Sequence, residues 1–307
     1  MKRILVTGGA GFIGSNLVSK LHNKHEIIVL DNFSTGLESN LKQLNIEIRN
    51  NSILNTYELN KIFNEKIDVV VHLAALGSVP RSIIDPRSTF ENNVIGTFEL
   101  LERARMNGSH FIFASSSSVY GSNMESPKIE KTWLSPISPY GASKLSGEAL
   151  VASYAAALDL KVSSFRFFNV FGPKQRHDHL YAAVIPKWIY AALNNQELEV
   201  FGDGEQTRDF TFVDDLINCI EYTIDNETTF DGTLNLAYGT RISLNEILLF
   251  LGSQFPNLKY KYSPSRKGDI KDSTSNPDNF KKIFEKIPHT DFEKAIKITI
   301  NWLKSSI

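Results

Sequence analysis

Short runs of apolar, often β-branched residues alternate with longer amphipathic stretches through the first half of the chain. The segments Arg3 to Thr7, Glu26 to Leu30, Asp68 to Leu73 and His110 to Ala114 read as strands, and Gly14 to His22, Ser88 to Met106 and Tyr140 to Leu158 as helices. Strands alternating with helices of this length imply parallel βαβ units. Within Glu26 to Leu30 and Asp68 to Leu73 the runs Ile27-Ile-Val-Leu30 and Val69-Val-Val-His-Leu73 do not alternate, as expected of strands buried on both faces. The pattern therefore predicts an α/β fold with a Rossmann-type, doubly wound parallel sheet covered by helices on both sides. After about Asn169 the texture changes to Gly-, Pro- and polar-rich loops around shorter elements, among them Phe171-Gly-Pro-Lys, Phe201-Gly-Asp-Gly and Ser263-Pro-Ser-Arg-Lys-Gly-Asp. Loop-rich segments often carry a ligand site. We expect residues 1–169 and about 210–236 to form the sheet domain, and about 170–209 and 237–307 a smaller mixed α/β lobe. There is no internal repeat and no low-complexity segment beyond Ser115 to Ser118.

Between the first strand and helix, Thr7-Gly-Gly-Ala-Gly-Phe-Ile-Gly-Ser sets Gly9, Gly11 and Gly14 in GxGxxG spacing and Gly8, Gly11 and Gly14 in GxxGxxG spacing. Missing side chains there let the turn close, let backbone amides approach a pyrophosphate, and let the helix pack on its strand. Asp31 closes the second strand where an acid would hold adenosine ribose hydroxyls, about 20 residues after the glycines. The following Asn32-Phe-Ser-Thr-Gly36 holds no Arg or Lys for a 2′-phosphate, which Asp31 would itself repel. The cofactor expected is NAD.

Tyr140-Gly-Ala-Ser-Lys144 puts a phenol and an ammonium one helical turn apart. A free tyrosine titrates near ~10, and a nearby ammonium together with a bound nicotinamide cation favours the phenolate. A serine cluster, Ser115 to Ser118, stands just past a strand end, where open α/β sheets bind ligands. One serine hydroxyl bonding a substrate oxygen while Tyr140 takes its proton is what hydrogen abstraction from a secondary alcohol requires.

Composition narrows the partners. The 307 residues, 42% hydrophobic, carry 33 Lys+Arg against 34 Asp+Glu, a net charge of -1, so no broad positive field draws nucleic acid or an acidic membrane surface. The single Cys219 makes no internal disulfide and no structural zinc site, which fits a reducing cytoplasm. The apolar run Ile4 to Val6 is too short for a secretory leader. The longest apolar stretches fall short of the roughly 20 residues a spanning helix needs. Asn107-Gly-Ser and Asn226-Glu-Thr are chance sequons in such a chain, and His177-Asp-His179 reads as a solvated loop, so no metal is expected.

Taken together, these residues closely resemble the extended short-chain dehydrogenase/reductase family and, within it, the nucleotide-sugar 4-epimerases. The landmarks run through nearly the whole chain: Thr7 to Gly14, Asp31-Asn32, His72-Leu-Ala-Ala, Asn92-Asn-Val-Ile-Gly-Thr, Ser116 to Gly121, Tyr140 to Lys144, Arg166-Phe-Phe-Asn-Val-Phe-Gly-Pro and Arg208-Asp-Phe-Thr-Phe-Val-Asp-Asp. The resemblance implies that Ser116, Tyr140 and Lys144 form a catalytic trio, Lys144 also holding the nicotinamide ribose. It implies a cofactor site from Gly8, Gly11, Phe12, Ile13, Gly14, Asp31, Asn32, Gly36, Leu73, Ala74, Ala75, Asn92 and Phe168, with Ser52 and Ile53 beside the adenine. Ser52 departs from the acid that relatives commonly carry there, and accepts the adenine amino group more weakly.

The family's dehydratases and decarboxylases usually carry an acid immediately before Val-Tyr-Gly, where this chain has Ser117-Ser118. Elimination lacks its usual acid and base there, whereas oxidation and return of hydrogen at C4 need only the trio. On the substrate side the resemblance implies that Asn169, Arg208 and Arg266 meet the diphosphate, Asp269 the nucleotide ribose, and Val184, Trp188 and Phe201 the uracil. Ser78, Arg81 and Ser117 are the candidates for the hexose, Arg81 for a C6 carboxylate. Ser273 falls where glucose-specific relatives carry a large tyrosine, so its size leaves room for a C2 acetamido group. The expectation is an NAD-dependent 4-epimerase of UDP-N-acetylglucosamine/UDP-N-acetylgalactosamine or the corresponding uronic acid, cytoplasmic and homodimeric through the helices around Ser88 to Met106 and Tyr140 to Leu158. The alternatives are a UDP-glucose/UDP-galactose 4-epimerase and, in another class, a non-catalytic NAD-bound sensor.

Overall fold

A computed structural model describes residues 1–178, 182–265 and 271–306. Of the residues singled out above, His179, Arg266 and Asp269 lie outside the described residues. The chain divides into two compact units: Met1–Asn123, Trp133–Phe167 and Ile217–Leu234 form the first, and Met124–Thr132, Phe168–Leu216 and Asn235–Ile307 the second.

The first unit runs β1 (Arg3–Thr7), α1 (Phe12–Leu21), β2 (Glu26–Asp31), β3 (Glu47–Asn50), α2 (Thr56–Ile62), β4 (Val69–His72), α3 (Val79–Ile84), α4 (Pro86–Phe90), α5 (Gly96–Asn107), β5 (His110–Ser116), α6 (Pro139–Leu158) and β6 (Val162–Phe167). These strands join β11 (Thr233–Leu236) in a seven-stranded sheet of order β11-β6-β5-β4-β1-β2-β3. The neighbours β1 and β2, β1 and β4, β2 and β3, β4 and β5, and β5 and β6 pair in parallel. Strand order reverses between β1 and β4, the position at which such sheets bind ligands beyond the strands' carboxyl ends. On one face Leu5, Ile28, Leu30, Val70, Phe111 and Phe113 bury against Leu59, Ile62, Leu100, Leu101, Val151 and Tyr154. Each such aliphatic or aromatic side chain contributes about 1.5–3 kcal/mol of burial.

The helix expected over Ser88 to Met106 is present, running without a gap from Pro86 to Asn107, and it is preceded by a break at Asp85 and carries one irregular turn. Pro80 and Pro86 stand in the first turns of α3 and α4, and Asp85 caps the second by accepting the Ser88 N–H at 3.0 Å. A five-residue π turn, Glu91–Ile95, then leads into α5. Helix α6 matches its expected span closely: Ser138 caps it by accepting the Gly141 N–H at 3.1 Å, Pro139 supplies a preset φ at the first position, and Asp159 ends it at a φ of 54°.

The second unit contributes β7 (Val170–Phe171), α7 (Val184–Leu193), β8 (Leu198–Phe201), β9 (Thr207–Arg208) and β10 (Thr211–Phe212). Helix α8 (Val213–Asn226) and strand β11 (Thr233–Leu236) carry the chain into and out of the first unit. It continues with β12 (Ile242–Ser243), α9 (Leu244–Gln254), β13 (Tyr260–Ser263), β14 (Asp272–Ser273), α10 (Asp278–Phe284) and α11 (Phe292–Ser306). Its strands form small ladders, β10-β7, β12-β9-β14 and β13-β8, around an aromatic cluster of Phe171, Phe210, Phe212 and Phe292. Residues 124–132 join this unit although they stand between two first-unit segments. Lys128 donates its N–H to Thr274 O at 2.7 Å and accepts the Asn276 N–H at 2.8 Å, which draws the loop onto the strand after β14. Among the described residues no helix is long and apolar enough to cross a membrane.

Candidate active site

At the carboxyl end of β1 the chain turns at Gly8, whose φ is 71°. A Cβ there would come within 2.7 Å of Ala74 N and 2.9 Å of Leu73 C, so only glycine lets the turn lie against the segment after β4. At Gly14 a Cβ would strike the Gly8 carbonyl. Gly11 is the N-cap of α1, and the first turn has no acidic residue and no side-chain cap, leaving the amides of Phe12 and Ile13 to face an anion. Asp31 is held from both sides, Oδ2 accepting the Ala10 N–H at 2.9 Å and Oδ1 the Phe33 N–H at 2.8 Å, with lone pairs left for hydroxyls. Gly36 permits the same loop to approach Ala10, where a Cβ would lie 2.8 Å from the Ala10 carbonyl carbon, while Asn32 is exposed. Ile53 is buried against Gly96, and Ser52 Oγ accepts the Leu54 N–H at 3.1 Å. Leu73, Ala74 and Ala75 line the other wall, half-buried. The cradle that glycines keep open, the bare helix start and the acid at the end of β2 fit a dinucleotide.

The candidate trio comes together where β5 meets α6. The Ser116 hydroxyl bears on the Tyr140 phenol, and Ser116 Oγ donates to Ser118 Oγ and accepts the Ser118 N–H, each at 3.1 Å. Burial pushes the Tyr140 phenol above its ordinary value and the bond to Ser116 pulls it part of the way back. Lys144 is buried, its Nζ donating to the Ala114 carbonyl at 2.7 Å, and burial lowers its pKa to about 8 against the opposing pull of Glu148. The sequence expectation that Lys144 favours the phenolate needs a refinement: in the chain alone the ammonium is turned to a backbone carbonyl, and burial governs Tyr140. Ser117 sits in the short 3₁₀ turn that follows, half-buried.

Behind these groups runs a polar network that sequence reasoning missed. Thr7 Oγ1 accepts the Ala74 N–H at 3.3 Å and bonds His72 Nδ1 at 2.8 Å. On the other side of the ring His72 Nε2 lies 2.9 Å from Thr97 Oγ1, which donates to Asn93 O at 2.7 Å. Because Thr97 spends its proton on Asn93, His72 carries its own on Nε2, and burial with the nearby Lys144 ammonium holds its pKa down at about 3. Asn93 accepts the Leu76 N–H at 2.8 Å and donates to Ser143 Oγ at 3.0 Å. Of the two adjacent asparagines Asn93 is the buried one, while Asn92 is half-buried with its amide on Ser88 O at 2.9 Å. Both lie in the π turn, where the shifted helix phase conceals from the sequence which of them faces in.

Of the expected hexose contacts, one is engaged locally and another is not. Ser78 Oγ caps α3 by accepting the Arg81 N–H at 3.2 Å, and the half-buried Arg81 has no carboxylate partner among the described residues. In the second unit Phe168 is fully buried. Asn169 adopts a φ of 32° and donates to Asp209 O at 3.1 Å. Arg208 in β9 stands in register with Ser273 in β14, and its guanidinium donates to Thr207 O at 2.8 Å. Asp209 fixes this corner by accepting bonds from the backbone and hydroxyls of Thr240 and Ser275 and from Gly239 N–H. Val184 opens α7 half-buried; Trp188 is buried there, its indole N–H donating to Glu199 O at 3.3 Å, and Phe201 ends β8 half-buried. Among the described residues no cluster of His, Cys, Asp and Glu has the arrangement of a metal site.

Fold and cradle define a Rossmann enzyme that works with a dinucleotide. The profile of the NAD dependent epimerase/dehydratase family matches residues 4–237, and the chain belongs to that family. It is similar over its whole length to solved structures: 36% identical, covering 100% of this chain and 99% of the other at a TM-score of 0.95, to the UDP-N-acetylglucosamine 4-epimerase of Methanobrevibacter ruminantium in complex with UDP-N-acetylmuramic acid. It is 30% identical (99% and 100% covered, TM-score 0.91) to the UDP-glucuronic acid 4-epimerase of Bacillus cereus in complex with UDP-glucuronic acid and NAD. To the UDP-glucose 4-epimerase of Thermus thermophilus in complex with NAD it is also 30% identical, with 99% and 100% covered and a TM-score of 0.89. The chain is an NAD-dependent enzyme of the extended short-chain dehydrogenase/reductase class.

Proposed function

We propose that the protein inverts C4 of a UDP-N-acetylhexosamine, UDP-N-acetylglucosamine/UDP-N-acetylgalactosamine or the corresponding uronic acid. The observation that carries the sugar assignment is the pairing of the small Ser273 with Arg208 on adjacent strands. If Arg208 meets the diphosphate through charge-assisted bonds, the neighbouring position limits what fits at C2, and a serine leaves room for an acetamido group. Similarity to a UDP-N-acetylglucosamine 4-epimerase supports the same reading. The absence of a carboxylate at Ser117 and Ser118 supports inversion over elimination.

In this reading NAD, when bound, supplies a reversible two-electron acceptor and a positive ring that favours the Tyr140 phenolate. Tyr140 takes the O4 proton of the sugar while Ser116 holds the same oxygen by its hydroxyl. Lys144 keeps a positive charge beside the phenol and bonds the ribose. Once the 4-keto sugar has turned its other face, Tyr140 returns the proton to O4. Asn169 and Arg266 join Arg208 at the phosphates, Asp269 takes the uridine ribose, and Val184, Trp188 and Phe201 stand by the base.

Incubation of the protein with UDP-N-acetylglucosamine and chromatography of the product tests the assignment: UDP-N-acetylgalactosamine is expected, and no conversion of either epimer contradicts it. Plain UDP-glucose/UDP-galactose epimerisation is the second reading, since Ser273 admits the smaller sugar too, and the ratio of the two rates decides between them. Arg81, half-buried and without an acidic partner among the described residues, is the group for a C6 carboxylate. We also read the protein as a cytoplasmic homodimer. Ala142, Ala149, Ala152 and Ala156 form an exposed small-residue stripe on α6, and Ile95 and Phe98 are exposed at the start of α5. Sedimentation should give twice the chain mass, and Ala149→Arg the single chain.

A further inference from the structure

Tyr140, Lys144 and Glu148 follow one another at single-turn spacing on α6, and each meets the end of β5. Tyr140 comes under the influence of the Ser116 hydroxyl, Lys144 donates to the Ala114 carbonyl at 2.7 Å, and Glu148 accepts the Ser115 hydroxyl. Three consecutive strand residues are thus tied to three successive helical turns, and the last tie takes no part in the chemistry above. Glu148 is buried, and Arg166 of β6 grips both its oxygens, Nε to Oε1 at 2.9 Å and Nη2 to Oε2 at 2.7 Å. A further guanidinium nitrogen donates to the Tyr120 hydroxyl at 2.8 Å. Such a pair is poor value as stability alone, because desolvation offsets most of its attraction. The apolar contact between α6 and β5 is already made by Gly147, where a Cβ would lie 2.5 Å from the Phe113 ring.

We propose that Glu148, clamped by Arg166, is a positioning residue of the reaction: by holding Ser115 it fixes both the carbonyl that anchors Lys144 and the hydroxyl that meets Tyr140. Its charge acts on the same group. Burial draws the Lys144 pKa down to about 8, and Glu148 opposes that fall. Other elements supply no competing anion among the described residues. His72 on β4 stays neutral, with its pKa at about 3; β5 offers the Phe113 ring at 5.3 Å; and Arg166 on β6 is engaged by Glu148. On α6 itself the remaining titratable neighbour is Tyr140, raised and therefore uncharged at neutral pH.

The proposal rests on reading Ser116, Tyr140 and Lys144 as the catalytic trio, so its test follows Lys144 directly as well as turnover. NMR of the full-length protein with isotope-labelled lysine, the Lys144 signal assigned by its loss in Lys144→Met, should titrate at about 8. In Glu148→Gln it should titrate lower by roughly one pH unit or more. The alkaline limb of kcat should move the same way, with kcat down by about 10- to 100-fold and KM little changed. Ser115→Ala, which keeps the ion pair, should lower kcat several-fold at unchanged KM. A folded Glu148→Gln protein with an unmoved Lys144 titration, or with reduced kcat and an unmoved alkaline limb, assigns Glu148 to structure alone and overturns the proposal. If that variant does not fold, wild-type kcat in Ser115→Ala overturns it. A wild-type protein that turns over no sugar nucleotide while Lys144 shifts as expected overturns the functional reading instead, and leaves the coupling standing.

Discussion

A phenol that burial pushes upward is a poor base, and Tyr140 is such a phenol until positive charge and the Ser116 hydroxyl work on it together. Tyr140→Phe should therefore keep the fold and the bound cofactor while kcat falls on the order of 10²- to 10⁴-fold, measured in single-turnover and steady-state assays. Retention of more than a tenth of the wild-type rate would exclude Tyr140 as the proton carrier. Ser273→Tyr adds a ring beside Arg208, so turnover of the acetylated sugar should drop roughly 10- to 100-fold relative to UDP-glucose. Equal loss on both sugars would mean that the position does not sort them. The catalytic candidates were legible because Tyr140 and Lys144 are neighbours along one helix, and Gly8 to Gly14 along one turn. Glu148, Arg166, Asn93 and Thr97 were not, because each takes its meaning from a partner on another element.

The apolar runs of β1, β2, β4 and β5 announce the strands that position the cradle, and β6 stays hidden for a physical reason. Its Val-Ser-Ser-Phe-Arg-Phe looks polar, yet Ser163 bonds His110 and Thr228, Ser164 bonds Thr233, and Arg166 bonds Glu148. Polar side chains satisfied by distant partners erase the pattern that marks a buried strand. The edge strand β3, Glu47-Ile-Arg-Asn, has too few apolar positions to announce itself. Among the loops, the turn after β1 makes the sharpest prediction. Gly8→Ala would put a Cβ 2.7 Å from Ala74 N at a φ of 71°, costing roughly 1–3 kcal/mol. Denaturant melts should show that loss, and the purified variant should carry less NAD than wild type. An unchanged melt and full NAD content would contradict the close approach of the two loops.

At the scale of the whole molecule, two buried neutral histidines among the described residues tie stability to pH. His72 is held at about 3 and His110 at about 4, both from an ordinary 6.5, chiefly by burial. The unfolded chain binds these protons first, so the stability they contribute is complete above about 6.5 and is lost as pH falls toward the folded values. Each should cost about 2 kcal/mol at pH 5, and His110→Gln should flatten the fall between pH 7 and pH 5 by that amount in equilibrium unfolding. A variant with the wild-type slope would show that His110 does not titrate on unfolding. In the proposed reaction the trio and a resident cofactor oxidise C4 and return the same hydrogen to the opposite face. The most direct test is proton NMR of the purified protein with UDP-N-acetylglucosamine deuterated at C4, without added NAD. The galacto epimer is expected with deuterium still at C4; product that had lost the label to water, or no inversion by protein that retains its NAD, would rule that reaction out.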